Sequence, residues 1–307
     1  MCDVIVVGAG RMGLPVATRL VTGAVEVGVL DVRPELQQAT RSAGLSWLGD
    51  GRDPTARASL EQVSAVVTVL PGSPELSDVM LGSADVTGLL GRLPPGTLWV
   101  DMTSAAPDLA IELTAAAARA EVRYVDAAVG GGPVDAALGT LTLYVGGADD
   151  DVAPARQLLR EVTRPPGAFR HLGGHGAGYL AKLLINQLWF TQVTAVAEVF
   201  ALAERLGLDA HRFLPALEQS SAASAFVTEH AQRLLDHDHE HLATFGLDRI
   251  VEELDSLGRS AASTNTPWST GNAVRNVHRD AFAHYGAIDG ELLAAAYIAY
   301  LAEHRPE

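Results

Sequence analysis

One lysine and one cysteine stand in a chain of 307 residues. The single cysteine, Cys2, excludes an internal disulfide and any cysteine-based metal cage, and a lone thiol fits a reducing cytoplasm. Apart from Lys182, the 22 basic side chains are arginines, and 37 acidic residues outnumber them to leave a formal charge of −15. No basic run interrupts that acidity, so neither nucleic acid nor an anionic membrane surface is an expected partner. No apolar run reaches the roughly 18–20 residues that a membrane helix needs. The opening "MCDVIVVGAG" goes straight into strand-like sequence and predicts no secretion signal. What remains is ordinary globular material, 48% hydrophobic and 19% charged, enough for a core in each of two domains.

The first half alternates strand and helix. Short apolar runs at 3–7, 25–30, 64–70, 96–101, 123–130 and 139–147 end in glycine, proline or aspartate. Helical spacing at Leu14, Ala17 and Val21 and over 111–122 fills gaps between them. This predicts a doubly wound α/β sheet with parallel strands. From Tyr179 to Gly207 the pattern changes to a run without proline or internal glycine, which predicts one helix about 40 Å long. The rest reads as helical. The expected organisation is a Rossmann-type domain over 1–173 and an all-helical domain over 174–307, joined by that long helix.

"VIVVGAGRMG" places Gly8, Gly10 and Gly13 at the spacing of a dinucleotide-binding turn. It follows a strand, opens a helix, and is followed by an acidic residue, Asp31, at the end of the second strand. Those glycines allow the tight turn, the close approach of a pyrophosphate and the packing of helix on strand. Asp31 would bind ribose hydroxyls and favours NAD. Arg33 could instead hold a 2′-phosphate, so NADP is not excluded.

Lysine differs from arginine in one decisive respect, because it can lose its proton when its environment lowers its pKa. A chain that uses arginine elsewhere and keeps Lys182 marks a position for proton transfer or imine formation. A solvated helix lysine is the plainer alternative. Asn186 follows four residues later on the same helical face.

Five segments in order resemble the β-hydroxyacid dehydrogenase family, which includes 3-hydroxyisobutyrate dehydrogenases and tartronate semialdehyde reductases. They are "GAGRMGLPVATRL", "LPGSP" (70–74), "VDMTS" (100–104), "DAAVGGGPVDAALGTLTLYVGG" (126–147) and "GAGYLAKLLIN" (176–186). The resemblance implies a nicotinamide cofactor held by Gly8, Gly10, Arg11, Met12, Gly13, Asp31, Arg33, Leu70, Pro71 and Ser104. It implies Lys182 as general acid/base, Asn186 as holder of the reacting oxygen, and Thr103 and 130–132 beside the substrate. It also implies a homodimer acting on a small molecule.

Two positions depart from that pattern. Gly130-Gly131-Gly132 stands where the family has Ser-Gly-Gly, which removes a hydroxyl donor for the substrate carboxylate. Glu252-Glu253 aligns with the family's Lys-Asp, so a cation becomes an anion unless Arg249 replaces it. These changes predict a substrate other than a simple hydroxy acid, such as a β-hydroxy amino acid or an amino alcohol. An imine reductase shares the architecture, but Lys182 argues against it. A non-catalytic cofactor scaffold would not need Lys182 or Asn186. No metal is expected, although "DHDHEH" places His237, His239 and His241 close together. His171 and His175 receive no role, and Trp189, Phe190 and Phe200 are expected in the core or at a dimer interface.

Overall fold

The computed structural model describes residues 2–21, 26–51, 54–83, 86–238 and 245–304. His239 and His241 lie outside them. The described residues hold no cluster of three or more histidine, cysteine or acidic side chains suited to a metal. None of their helices is long and apolar enough to cross a membrane. The chain divides into two compact units, Met1–Lys182 and Leu183–Glu307.

The first unit is built on an eight-stranded sheet. In chain order its strands are β1 (Val4–Val7), β2 (Val27–Leu30), β3 (Ser46–Trp47), β4 (Ala65–Thr68), β7 (Leu98–Asp101), β8 (Arg123–Gly130), β9 (Thr142–Gly147) and β10 (Phe169–Gly173), while β5 (Gly82–Ser83) and β6 (Val86–Thr87) form a separate hairpin. The spatial order is β10-β9-β8-β7-β4-β1-β2-β3. β1, β2, β4 and β7 are buried along their whole length. Their side chains divide by parity: Val4 and Val6 join one apolar cluster, while Ile5 and Val7 join another. That is how a strand reads when helices cover both faces of the sheet.

The predicted all-parallel sheet needs one correction. β9 runs antiparallel to β8, with Val125 opposite Gly147 and Gly130 opposite Thr142. Only residues 131–141 connect the two strands, and they contain the six-residue helix Pro133–Leu138. This link sits at the lower limit for a parallel crossover, and here the chain turns back beside itself. β10 then lies parallel to β9.

The long helix runs from Ala177 to Arg205. It stops before Gly207, whose φ of +82° suits a helix terminus. The second unit adds helices Ala210–Glu218, Ala225–Leu235, Leu247–Ser263, Ser269–Tyr285 and Leu293–His304. Asp209 and Ser224 cap two of them by accepting the N–H groups of Arg212 and Val227. Phe200 packs in one helical core with Val193, Leu214 and Phe226, and Phe190 packs in another with Ile250 and Leu254.

His278 lies in that second core, fully buried beside the Phe190 ring. Its Nδ1 bonds the Val274 carbonyl at 2.9 Å, whereas its buried Nε2 has no partner among the described residues. Burial pushes its pKa down from 6.5 to about 4. The unfolded chain therefore takes up this proton at a higher pH than the folded one. The contribution to stability is intact above pH 6.5 and is withdrawn as pH falls toward 4, by about 3 kcal/mol when complete. Urea denaturation at pH 7 and pH 5 should show a smaller stability difference for His278→Leu than for the unaltered chain. An identical difference would remove His278 as its source.

Candidate active site

The glycine turn after β1 separates steric need from vacancy. Gly8 has φ +96°, and a Cβ there would lie 2.3 Å from the Val69 carbonyl oxygen. A Cβ on Gly13 would lie 1.9 Å from the Gly8 oxygen. Both positions exclude side chains because the protein's own backbone fills the space. Gly10 differs, since its missing Cβ would meet only the Arg33 guanidinium, at 3.5 Å. Nothing inside the chain demands glycine there. The open face fits the close approach of a dinucleotide phosphate at the start of helix Gly13–Val21. Arg11 is exposed and Met12 half-buried at the same turn.

Neighbouring strands bring the other expected cofactor residues to this sheet edge. β1 pairs with β4, β4 with β7 and β7 with β8, all parallel. Leu70 and Pro71 follow β4, Thr103 and Ser104 follow β7, and the turn at 130–132 follows β8. The carboxyl edge where strand order reverses is the usual ligand crevice of such sheets. Thr103 is buried, and its hydroxyl accepts the Leu70 N–H at 3.1 Å, so it holds the loop after β4 in place.

Asp31 closes β2. Its carboxylate accepts the Ala9 N–H at 2.8 Å and three hydrogen bonds from Arg33, through the backbone N–H, Nε and Nη2. Burial opposes ionisation, but the Arg33 and Ala9 donors prevail and hold Asp31 below the ordinary carboxylate range. Arg33 stays half exposed above the pair.

A buried network ties the long helix to the same edge. Asp126 on β8 accepts the N–H groups of Gly176 at 2.7 Å, Gly178 at 2.8 Å and Tyr179 at 3.2 Å. Tyr179 then reaches into the sheet. Its hydroxyl donates to Asp101 and bonds the Tyr124 hydroxyl at 2.7 Å. Asp101 also accepts the Thr68 hydroxyl and the Thr103 N–H. Burial lifts Asp101 to about 6 despite these donors, and it raises Tyr124 and Tyr179 well above the ordinary phenol value. His175, without a role from sequence, stacks on Tyr124 and bonds its carbonyl at 3.0 Å. Lys182 lies half-buried one turn beyond this anchored start.

In the second unit, Asn186 donates its side-chain N–H to Glu253 at 2.8 Å. Glu253 is buried on helix Leu247–Ser263, whereas Glu252 is exposed and pairs with Arg249 at 3.1 Å. The sequence names the pair and points to Glu252, whereas the residue that meets Asn186 is Glu253. The phase was legible: Leu247, Ile250, Leu254 and Leu257 face inward, and 253 shares their side of the helix while 252 does not. At 130–132, the Gly132 N–H is taken by the Asp135 carboxylate at 2.9 Å. One of the two backbone donors expected for a substrate anion is thus engaged. A carboxyl-edge dinucleotide crevice with an amine on an anchored helix can support hydride transfer coupled to proton transfer.

Residues 3–173 match the NAD-binding domain of 6-phosphogluconate dehydrogenase, and residues 176–297 match the family described as NAD-binding of NADP-dependent 3-hydroxyisobutyrate dehydrogenase. The chain is 32% identical over 224 residues to an NAD-dependent L-serine dehydrogenase of Pseudomonas aeruginosa, covering 73% of this chain and 72% of that one. It is 27% identical over 278 residues to the human mitochondrial 3-hydroxyisobutyrate dehydrogenase, covering 89% and 80%. A structure of the Mycobacterium tuberculosis 3-hydroxyisobutyrate dehydrogenase with L-serine superposes with a TM-score of 0.82 at 24% identity, over 98% of this chain and 99% of the other.

Proposed function

Because the chain belongs to the 3-hydroxyisobutyrate dehydrogenase family of NAD(P)-dependent oxidoreductases acting on CH–OH groups, we propose that Lys182 is its general acid/base and that its substrate carries a polar group other than a lone carboxylate. The observation that carries the first part is the only lysine of the chain, placed one turn past a helix start that Asp126 and Asp101 fix to the cofactor edge. The nicotinamide, when bound, supplies the hydride acceptor or donor. Lys182 takes the hydroxyl proton during oxidation and returns it to the oxygen during reduction. Asn186 orients the reacting oxygen, and Glu253 orients Asn186.

Three features support a β-hydroxy amino acid or amino alcohol. Gly130 offers no hydroxyl, Asp135 occupies the Gly132 N–H, and Glu252 stands where the family has a cation. Arg249 pairs with Glu252, so the charge of Glu252 is partly matched within its own helix. The relative named for L-serine fits this class. The single thiol, Cys2, is buried with a raised pKa and suits a reducing compartment such as the cytoplasm.

Oxidation of L-serine, 2-amino alcohols and simple 3-hydroxy acids, followed by nicotinamide absorbance, tests both parts. Turnover is expected with the amino-bearing alcohols, and Lys182→Arg should lose about 100-fold or more in kcat. Full activity in that variant would end the proton-transfer role, and a preference for simple 3-hydroxy acids would end the substrate proposal.

The cofactor choice turns on Asp31 and Arg33. An unmatched Asp31 would repel a 2′-phosphate, and Arg33 neutralises it. NAD is the proposed cofactor. Arg33→Ala should raise the NAD over NADP ratio of kcat/KM by about 10-fold or more. A falling or unchanged ratio would show that Arg33 does not bear on the 2′ position. For assembly, we propose a homodimer that covers the exposed Leu184, Ile185, Leu188, Val199 and Leu202 of the long helix. Sedimentation equilibrium should give a dimer mass that Leu188→Glu with Leu202→Glu reduces to a monomer, whereas a monomeric unaltered chain would remove the proposal.

A further inference from the structure

The Tyr144 ring packs tightly against the bare face of Gly130. A Cβ there would lie 3.1 Å from Cε2 and 3.2 Å from the hydroxyl oxygen of Tyr144. Tyr144 lies on β9 opposite Ala128, and Gly130 opposite Thr142 two residues along, so the ring crosses the ladder diagonally to the end of β8. A side chain at 130 would press on that ring, which would have to yield by a few tenths of an ångström. Glycine at 130 and tyrosine at 144 are therefore one arrangement rather than two unrelated residues.

The Tyr144 hydroxyl is also unspent. The side chain is half-buried, yet its oxygen makes no hydrogen bond to any described residue. The hydroxyls of Tyr124 and Tyr179 are both engaged. At the turn itself, Gly132 has given its N–H to Asp135, which leaves fewer donors for a ligand. Tyr144 is close to the acid/base helix as well. A Cβ on Gly178 would meet the Tyr144 carbonyl oxygen at 2.3 Å, and Lys182 is one turn beyond Gly178 on the same helical face.

Resting on the dehydrogenase reading above, we infer that Tyr144 is a substrate-binding residue whose phenol donates a hydrogen bond to an oxygen of the group next to the reacting alcohol, the carboxylate in a β-hydroxy amino acid. A packed ring with two torsions places this donor with little loss of freedom. A phenol is neutral, so it accommodates a carboxylate or a neutral oxygen without the charge selectivity of a lysine. That tolerance distinguishes this site from one built on a fixed cation.

Tyr144→Phe keeps the ring against Gly130 and removes only the hydroxyl. For L-serine, kcat/KM should fall about 10-fold or more through a raised KM, while a 2-amino alcohol, which lacks the carboxylate, should be affected less. The KM for NAD and the thermal midpoint should stay unchanged. Tyr144→Leu clears the ring, and adding Gly130→Ser to it should recover part of the lost kcat/KM by restoring a hydroxyl from the other strand. Full kcat/KM in Tyr144→Phe would overturn the inference alone, as would a parallel rise in the KM for NAD or absence of any recovery with Gly130→Ser. No turnover of any panel alcohol by the unaltered chain would overturn the substrate class and this inference together.

Discussion

The carboxylate of Asp126 holds the long helix to the sheet. The first turn of a helix has N–H groups without intrahelical partners, and here those of Gly178 and Tyr179, with that of Gly176 just ahead of the helix, point into protein rather than water. Asp126 accepts all three. Burial raises its pKa, and the donors of Gly176, Tyr179 and Gly178 oppose that rise. The approach is so close that a side chain at Gly178 would collide with both the Tyr144 carbonyl and the Asp126 carboxylate, while Gly176 adopts φ +87°. The Gly-x-Gly that precedes Lys182 is thus a steric condition for docking the helix. Tyr179 then carries the connection to Asp101, and Asp101 also fixes Thr103, whose hydroxyl fixes Leu70. A chain of hydrogen bonds runs from the cofactor-side loops to the residue three places before Lys182.

Four buried acids serve four different ends in a chain with net charge −15. Asp126 caps a helix with backbone donors, Asp101 gathers two hydroxyls and an N–H, Asp31 is matched by a guanidinium, and Glu253 receives an amide. Each carboxylate is held by donors, which is the condition for burying it at all. Composition could not show this division, because the sequence counts acids without saying which ones meet donors.

The glycine turn and the strands were legible because one cause governs them. Gly8 and Gly13 admit no side chain, and β1, β4 and β7 are buried on both faces, so they read as continuous apolar runs. β3 is two residues long, and β10, with sequence FRHLG, is a half-exposed edge strand, so neither carries that pattern. The run at 139–147 identified β9 but not its direction, because a link of that length is compatible with either. The helices over 37–42, 73–80 and 133–138 are too short for periodicity to stand out. Among candidate site residues, Lys182 stands out in the sequence through rarity. Glu253 was hidden beside Glu252, where helix phase is the distinction. Tyr144 depends on register across an antiparallel pair, which became definite only once β9 was seen to reverse.

That reversal has a chemical consequence. Had β9 continued the parallel pattern, its residues would not lie opposite Ala128 and Gly130 in this register. The antiparallel turn brings the start of β9 back to the carboxyl edge of β8, so Tyr144 sits two residues into a strand that begins where β8 ends. The same residue's backbone receives Gly178 of the helix start. One position on β9 thereby packs against the loop at 130–132 with its ring and against the helix that bears Lys182 with its carbonyl. A bulkier residue at 130 would press on the ring, and a bulkier one at 178 would press on the strand, each disturbing the spacing between loop and amine. The two glycines differ in strictness: a Cβ at 178 would collide with the Tyr144 backbone, whereas one at 130 would only press on the far end of its ring, so residue 130 is the position where packing leaves room for substrate chemistry to decide.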